Sequence, residues 1–409
     1  MDTLFQIVTM MIPKAGIQVG GAPLTLNVVL LLCVILKNPN QTVLAVQRIK
    51  GMGFLYAVLL LFGSMTFLLG IGHWPLYRLA QIAIVIISPL AIVAMLRMDA
   101  EISMKITCVA LIVVNIYGIV QFAHGIVSSS IPGLTYTYGQ DLTRKNIGYG
   151  VGGDDLANKI ISTYQNGNYL GLFCIQGICL MFIWCAKEGI WKRLRFLSII
   201  LGFVGLLLCG SRSAVIPFAV ICGALAVQRV RAWPKRMKMT YFIISILTVF
   251  VSIEVLFTFY GNVLQRFYER IIVSTSQDST GAGRTIQWLS IFQGVSSLDL
   301  PNLLRVFFFG QSASMQLGGE GMPEFLITLG VPSAFAFYGM IVLAIFYFWR
   351  KKGFRSISYG LICVFVAFSL DQSFYYPPNV MEAFMCIGIA MSYMQNKLSS
   401  GMSQRAEQK

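Results

Sequence analysis

With 409 residues, 56% hydrophobic and only 11% charged, the chain is too apolar for a soluble globular protein, which carries about 25% charged residues. Its 31 basic and 16 acidic residues leave a net charge of +15, and the mean hydropathy is +0.73. Nine cysteines, all inside apolar runs, form no CxxC pair, and only two histidines accompany them; metal or disulfide chemistry is therefore not expected, and the thiols read as small buried hydrophobes.

A span needs about 20 mainly apolar residues, and in chain order twelve segments qualify: 3–20, 22–36, 54–71, 76–96, 102–123, 168–186, 194–210, 213–228, 239–261, 323–349, 356–375 and 378–396. Lys14, Gly16, Gly20 and Gly21 interrupt the first two. The first apolar stretch has neither a basic start nor a small-residue exit, so it does not read as a cleavable signal peptide. The expected fold is an all-α polytopic membrane bundle of about 12 transmembrane helices, one domain over 1–409, with two large outer loops carrying short helices. Most of the basic residues fall in alternate connections at 37–50, 97–105, 187–195, 229–238, 350–355 and in the tail 397–409. The positive-inside rule makes that side cytoplasmic, with both termini on it. The net charge is then a topology signal, and no nucleic-acid partner is expected.

Two long connections remain on the other side, 124–167 and 262–322, and loops of such length are usually functional or disordered. The first is rich in Tyr, Gly, Asn and Asp, residues suited to sugar contacts, and holds Arg144–Lys145 and Asp154–Asp155, which read equally as ordinary loop surface. In the second, Arg266 and Arg270 stand four apart, on one face of a helix. DSTGAG then breaks the chain before Arg284 opens RTIQWLSIFQGV. A glycine turn into a helix start offers free N–H groups to an anion, and the Arg284 fork suits phosphate.

Four pieces together carry a family resemblance: NGNYLGLF (166–173) closing the first loop, G-S-R-S (210–213) between two spans, GR…W (283–288), and GGEGMPEFLITLG (318–330) entering a span. In this order the chain resembles the O-antigen polymerase / O-antigen ligase superfamily of bacterial polysaccharide assembly, most closely over about residues 120–345. Ligases of that superfamily usually carry a histidine in the large loop. Here His73 and His124 both lie upstream and Glu320 and Glu324 stand in that place, which favours the polymerase branch. The resemblance implies a metal-independent, cofactor-free membrane glycosyltransferase of the cytoplasmic (inner) membrane, working at its outer face. It would move a growing glycan from one polyprenyl diphosphate onto the repeat unit carried by another, with a chain-length regulator protein as an optional partner. Transfer of the glycan to lipid A-core by a ligase is the nearest alternative. A transporter or flippase is the alternative from another class, but it should hold its charges at mid-span, whereas here they sit mostly in loops and at span ends.

The expected catalytic set is Arg212 and Arg284 on the diphosphates, with Glu324 or Glu320 as acceptor base. Arg212 lies on the side where charge bias gives no reason for it; snorkelling to lipid phosphates is the plainer account. Pro323 favours a helix start, so Glu324 is explained either by the helix dipole or by facing two arginines. Arg266, Arg270, Arg144, Asn166, Asn168, Tyr169 and Asp371 complete the expected substrate contacts. Asn166 and Asn168 read equally as a helix N-cap region, and Asp371 equally as a partner of Arg78 across the bundle.

Overall fold

The structure, a computed structural model, describes residues 1–19, 22–37, 39–40, 50–142, 147, 159–232, 283–312, 315 and 317–407. It is 77% helix and 3% strand. In chain order the elements are α1 (Asp2–Met11), β1 (Gly16–Val19), β2 (Ala22–Thr25), α2 (Leu26–Lys37), α3 (Met52–Gly70), α4 (Leu76–Ile87), α5 (Ala91–Arg97), α6 (Ala100–His124), α7 (Gly167–Ile183), α8 (Gly189–Leu208), α9 (Arg212–Ala232), α10 (Arg284–Ser296), α11 (Leu300–Phe309), α12 (Gly321–Trp349), α13 (Arg355–Leu370) and α14 (Pro377–Glu407). Among the described residues five helices are long and apolar enough to cross a membrane: Met52–Gly70, Leu76–Arg97, Ala100–His124, Gly321–Trp349 and Lys352–Leu370. The expected span 239–261 lies outside the described residues.

α14 is the axis of the bundle, with every residue from Pro377 to Ser392 buried. α7, almost as fully buried, lies against it, and α1, α5, α6 and α13 pack around the pair. α3 and α12 form a flank whose outer residues stay exposed, Phe54 at 71% and Phe335 at 69%. Such an apolar outer band fits a lipid-facing surface, since an aqueous one would leave it uncovered.

Two helices break where proline removes a backbone donor. Pro89 falls in a 3-10 turn between α4 and α5. In α12, Gly330 leaves helical geometry at φ 80° just before Pro332. The first expected span, 3–20, is not one helix. α1 has ten residues, about 15 Å at 1.5 Å per residue, and Pro13 and Gly16 then stop it. The chain nonetheless crosses the bundle: Gln6 bonds Ser103 and Thr107 near the start of α6, whereas Gln18 N–H donates to the Tyr138 carbonyl at the far end, 2.9 Å. β1 and β2 then form an antiparallel hairpin with Ile17 opposite Leu24, and α2 returns.

The first loop sends residues 160–164 back into the bundle, all of them buried. Non-helical backbone at that depth must find partners inside the protein. Gln121 supplies them: its Oε1 accepts from Ser162 N–H at 2.6 Å and Ile161 N–H at 3.3 Å, and its Nε2 donates to the Ser162 carbonyl at 2.9 Å. Six of the nine cysteines are buried as expected; Cys33 is half-buried, and Cys185 and Cys222 are exposed.

The basic connections around Arg97, Lys187–Arg195 and Arg350–Arg355 collect at one end, where Arg97 donates to the Val34 carbonyl and Lys105 pairs with Glu188 at 3.9 Å. The helix starts α7, α9, α10 and α12 gather at the other.

Candidate functional site

Four segments meet at that second end: the start of α7, the G-S-R-S turn, residues 318–320 before α12, and the turn between α13 and α14. Close approach of backbone holds them together. A Cβ on Gly167 would stand 2.2 Å from the Cys209 carbonyl oxygen, and one on Gly321 2.2 Å from that of Ser369; only glycine fits at either place.

Asp371 sits where the segments converge, 4% exposed. Its Oδ1 accepts from the backbone N–H of Ser373 at 2.8 Å and from the Ser373 hydroxyl. Its Oδ2 accepts two longer bonds, from Asn168 Nδ2 at 3.3 Å and from the Ser213 hydroxyl at 3.2 Å. Burial pushes its pKa above the ordinary carboxylate range, against the opposing pull of the Ser373 bonds, the Arg284 charge and Ser213.

The G-S-R-S turn is a helix-to-helix corner. Gly210, at φ 59°, closes α8, and Ser211 caps α9 by accepting from Ala214 N–H at 3.2 Å, an N-cap bond of the usual kind. Arg212 is then the first residue of α9, and it is half-buried. Arg284 is likewise the first residue of α10, following Gly283 at φ 81°. A cation at the first helical position opposes the macrodipole, typically by 0.3–1 kcal/mol, so helix stability accounts for neither arginine. Both helix starts favour an anion, and both arginines offer it a fork.

Arg284 pairs with Glu320 at 3.0 Å, and Trp288 Nε1 donates to the Glu320 carbonyl at 2.9 Å. Glu324 is buried and faces a different arginine from the expected two: Arg78, which also donates to Thr328 Oγ1 at 3.0 Å and Gln81 Oε1 at 3.3 Å. The Arg78 guanidinium lies 5.4 Å from the Tyr375 ring centre. Glu324 Oε2 accepts from Gly319 N–H at 2.9 Å. Asp371 is thus not the Arg78 partner; Asn168, Ser213 and Ser373 hold it instead. Beside the Arg78–Glu324 pair opens a cavity of about 630 Å³ bounded by His73, Trp74, Tyr77, Gln81, Gly319 and Gln372, among others.

Asn166 is the N-cap of α7, accepting from Tyr169 N–H at 3.0 Å. Tyr169 stacks on Tyr376 with ring centres 4.3 Å apart, and its carbonyl accepts from Asn379 at 2.9 Å. Arg144, Lys145, Asp154, Asp155, Arg266 and Arg270 lie outside the described residues. Among the described residues no group of three or more His, Cys, Asp or Glu could hold a metal ion. The sequence offers Arg78 only as a partner for Asp371 and Ser213 only as part of the G-S-R-S turn; the bonds they make, Arg78 to Glu324 and Ser213 to Asp371, come from the packing. For Arg78 a signal exists, because it opens an apolar run on the side away from the basic loops, the same oddity that singles out Arg212. A scan of protein-family models and a search of curated proteins find no match to this chain.

Proposed function

We propose that the chain is a polysaccharide polymerase of the cytoplasmic membrane, joining polyprenyl-diphosphate-linked repeat units at the outer face. The observation that carries this reading is the buried carboxylate Asp371, bonded by Ser213 of the G-S-R-S turn and by Asn168 at the start of α7, at the end of the bundle where α9 and α10 each open with an arginine, Arg212 and Arg284. Transfer from a diphosphate needs fixed positive charge where the leaving group develops its own, and arginine supplies it through a planar fork. The acceptor hydroxyl attacks the anomeric carbon, the bond to the diphosphate oxygen breaks, and polyprenyl diphosphate leaves.

The acceptor proton goes to a carboxylate. Asp371 suits this role better than the two expected glutamates. Glu324 has Oε1 taken by Arg78 and Thr328 and Oε2 by Gly319, and Glu320 is engaged by Arg284. Asp371 Oδ2 keeps only two long bonds, which a hydroxyl can displace, and a raised pKa fits a base. Twelve membrane crossings, cytoplasmic termini and an outward-facing site belong to the same proposal. The gathering of basic loops at one end of the bundle supports it.

The test is Arg212→Ala and Arg284→Ala expressed in cells lacking the gene, with surface glycans run on a gel. Single repeat units capped on lipid A-core, without a ladder, support the polymerase. Long polyprenyl-linked chains that never reach the core indicate the ligase instead. Repeat units accumulating on the cytoplasmic side indicate a transporter, and unchanged ladders in both variants refute the site.

A further inference from the structure

We infer that the cavity beside Arg78 is a subsite for an uncharged pyranose ring of the glycan; this rests on the polymerase reading above and names what part of the substrate binds there. Its volume, about 630 Å³, falls in the range of roughly 300–1,000 Å³ typical of small-molecule sites. Its two opposite charges are spent on each other. Arg78 and Glu324 form a closed ion pair, with Thr328 and the Gly319 amide taking further positions. A phosphate or carboxylate entering here would meet a guanidinium neutralised by a carboxylate that is only 1% exposed, whereas the Arg284–Glu320 pair is open, with side chains 23% and 39% exposed. Uncharged polar ligands meet no such penalty.

The walls carry the complementary groups for a sugar. Among the described residues, Gln81 has its Oε1 bonded by Arg78 but its Nε2 donors left for a ligand, and Gln372 has its Nε2 on the Gly319 carbonyl but its Oε1 left, so together they match hydroxyls that both give and take hydrogen bonds. Trp74 and Tyr77 bring aromatic faces for the apolar C–H side of a ring, and Tyr77 is 50% exposed, at the mouth. A third amide, Gln311, is structural: its Nε2 and Oε1 both bond Leu317, at 2.8 and 2.9 Å, and so hold the wall in place.

The subsite also adjoins the proposed chemistry. Gln372 donates to the Gly319 carbonyl at 2.7 Å, and each of these residues is next in sequence to a member of the charged cluster, Asp371 and Glu320. The 318–320 strip therefore separates two compartments: Glu320 faces Arg284 and Trp288 on one side, and Gly319 faces Glu324 and Gln372 on the other. Diphosphate recognition and ring recognition are divided across it.

The experiment uses the purified full chain in lipid nanodiscs, polyprenyl-diphosphate-linked repeat unit as substrate, and the free repeat-unit oligosaccharide, released by mild acid, as competitor. Trp74→Ala, Tyr77→Ala and Gln81→Ala are each expected to raise KM about tenfold, as the loss of one or two good contacts does, with a much smaller effect on kcat. Trp74→Phe, which keeps a ring, should restore most of the affinity. The free oligosaccharide should inhibit the wild type and lose potency by a similar factor against Trp74→Ala, because it carries no diphosphate. If it competes only with repeat unit acting as acceptor, the ring belongs to the acceptor; if it competes with the growing chain, to the donor. Unchanged KM and unchanged inhibition in all three alanine variants, with Arg284→Ala inactive, would overturn the subsite and leave the polymerase reading standing. A wild type that forms no polymer would remove both. Tyr77 is exposed enough that its variant folds, so a misfolded Trp74→Ala leaves the test intact.

Discussion

The Ser213 hydroxyl donates to Asp371 Oδ2 across 3.2 Å, tying the first turn of α9 to the turn between α13 and α14. Through that bond the G-S-R-S corner, which carries Arg212, is tied to the buried carboxylate, although the two are far apart in sequence. Ser213→Ala should cost about 0.5–1.5 kcal/mol, the ordinary net value of one hydrogen bond. It should also leave Asp371 easier to protonate, since the Ser213 bond is one of the influences lowering its pKa. Polymer formation measured against pH should then show its acid limb moved to higher pH, with the plateau largely kept. An unmoved limb would mean that Asp371 is not the titrating group.

Asp371 itself makes opposite demands on stability and activity. Burial raises its folded pKa above the value of about 3.9 it has when unfolded. The stability it lends is therefore fully present below that unfolded value, and it is lost as pH rises through the folded pKa. Asp371→Asn carries no such dependence. In thermal unfolding from pH 4 to pH 8 the variant should gain on the wild type as pH rises, while polymer formation is lost at every pH. Parallel melting curves across that range would contradict the raised pKa.

Much of this architecture is legible in the amino-acid order because apolar runs report length directly: α3, α6, α7 and α12 begin and end within a few residues of the runs that announce them. The break at 12–25 is not, since Lys14 and the glycines show that a helix is interrupted without showing that a hairpin replaces it. The charged cluster was legible only in part. Arg212 and Arg284 stand out by their position against the charge bias and beside glycine turns. Arg78 and Glu324 are 246 residues apart, and Ser213 and Asp371 are 158 apart. No local period links such pairs, because helix packing alone brings them together. α11 has a local signal, Asp299 and Pro301 at its start.

The Arg78–Glu324 pair should behave as a buried ion pair. Glu324→Met leaves the Arg78 charge uncompensated in a site where Glu324 is 1% exposed, and breaking one side of such a pair typically costs 3–5 kcal/mol. Arg78→Met with Glu324→Met together removes both charges and should cost clearly less than the sum of the single changes, since coupled residues are not additive. Melting temperatures of the two single variants and the double variant form the cycle. Additive losses would show that the pair is not coupled.

The glycine contact between the start of α7 and the G-S-R-S corner can be tested against an internal control. A Cβ on Gly167 would meet the Cys209 carbonyl at 2.2 Å, a contact that backbone cannot relieve without moving the corner that positions Arg212. Gly167→Ala should cost roughly 1–3 kcal/mol, the usual range for overpacking. It should also lower polymer formation, because Asn168 shares that turn and bonds Asp371. Gly189, at the start of α8, has nothing within 4 Å of its Cβ position. Gly189→Ala should leave both melting temperature and polymer ladder as they are, or raise the former slightly, alanine being the better helix former by up to about 1 kcal/mol. Equal effects from the two substitutions would show that helix propensity, and not the close approach at Cys209, governs this corner.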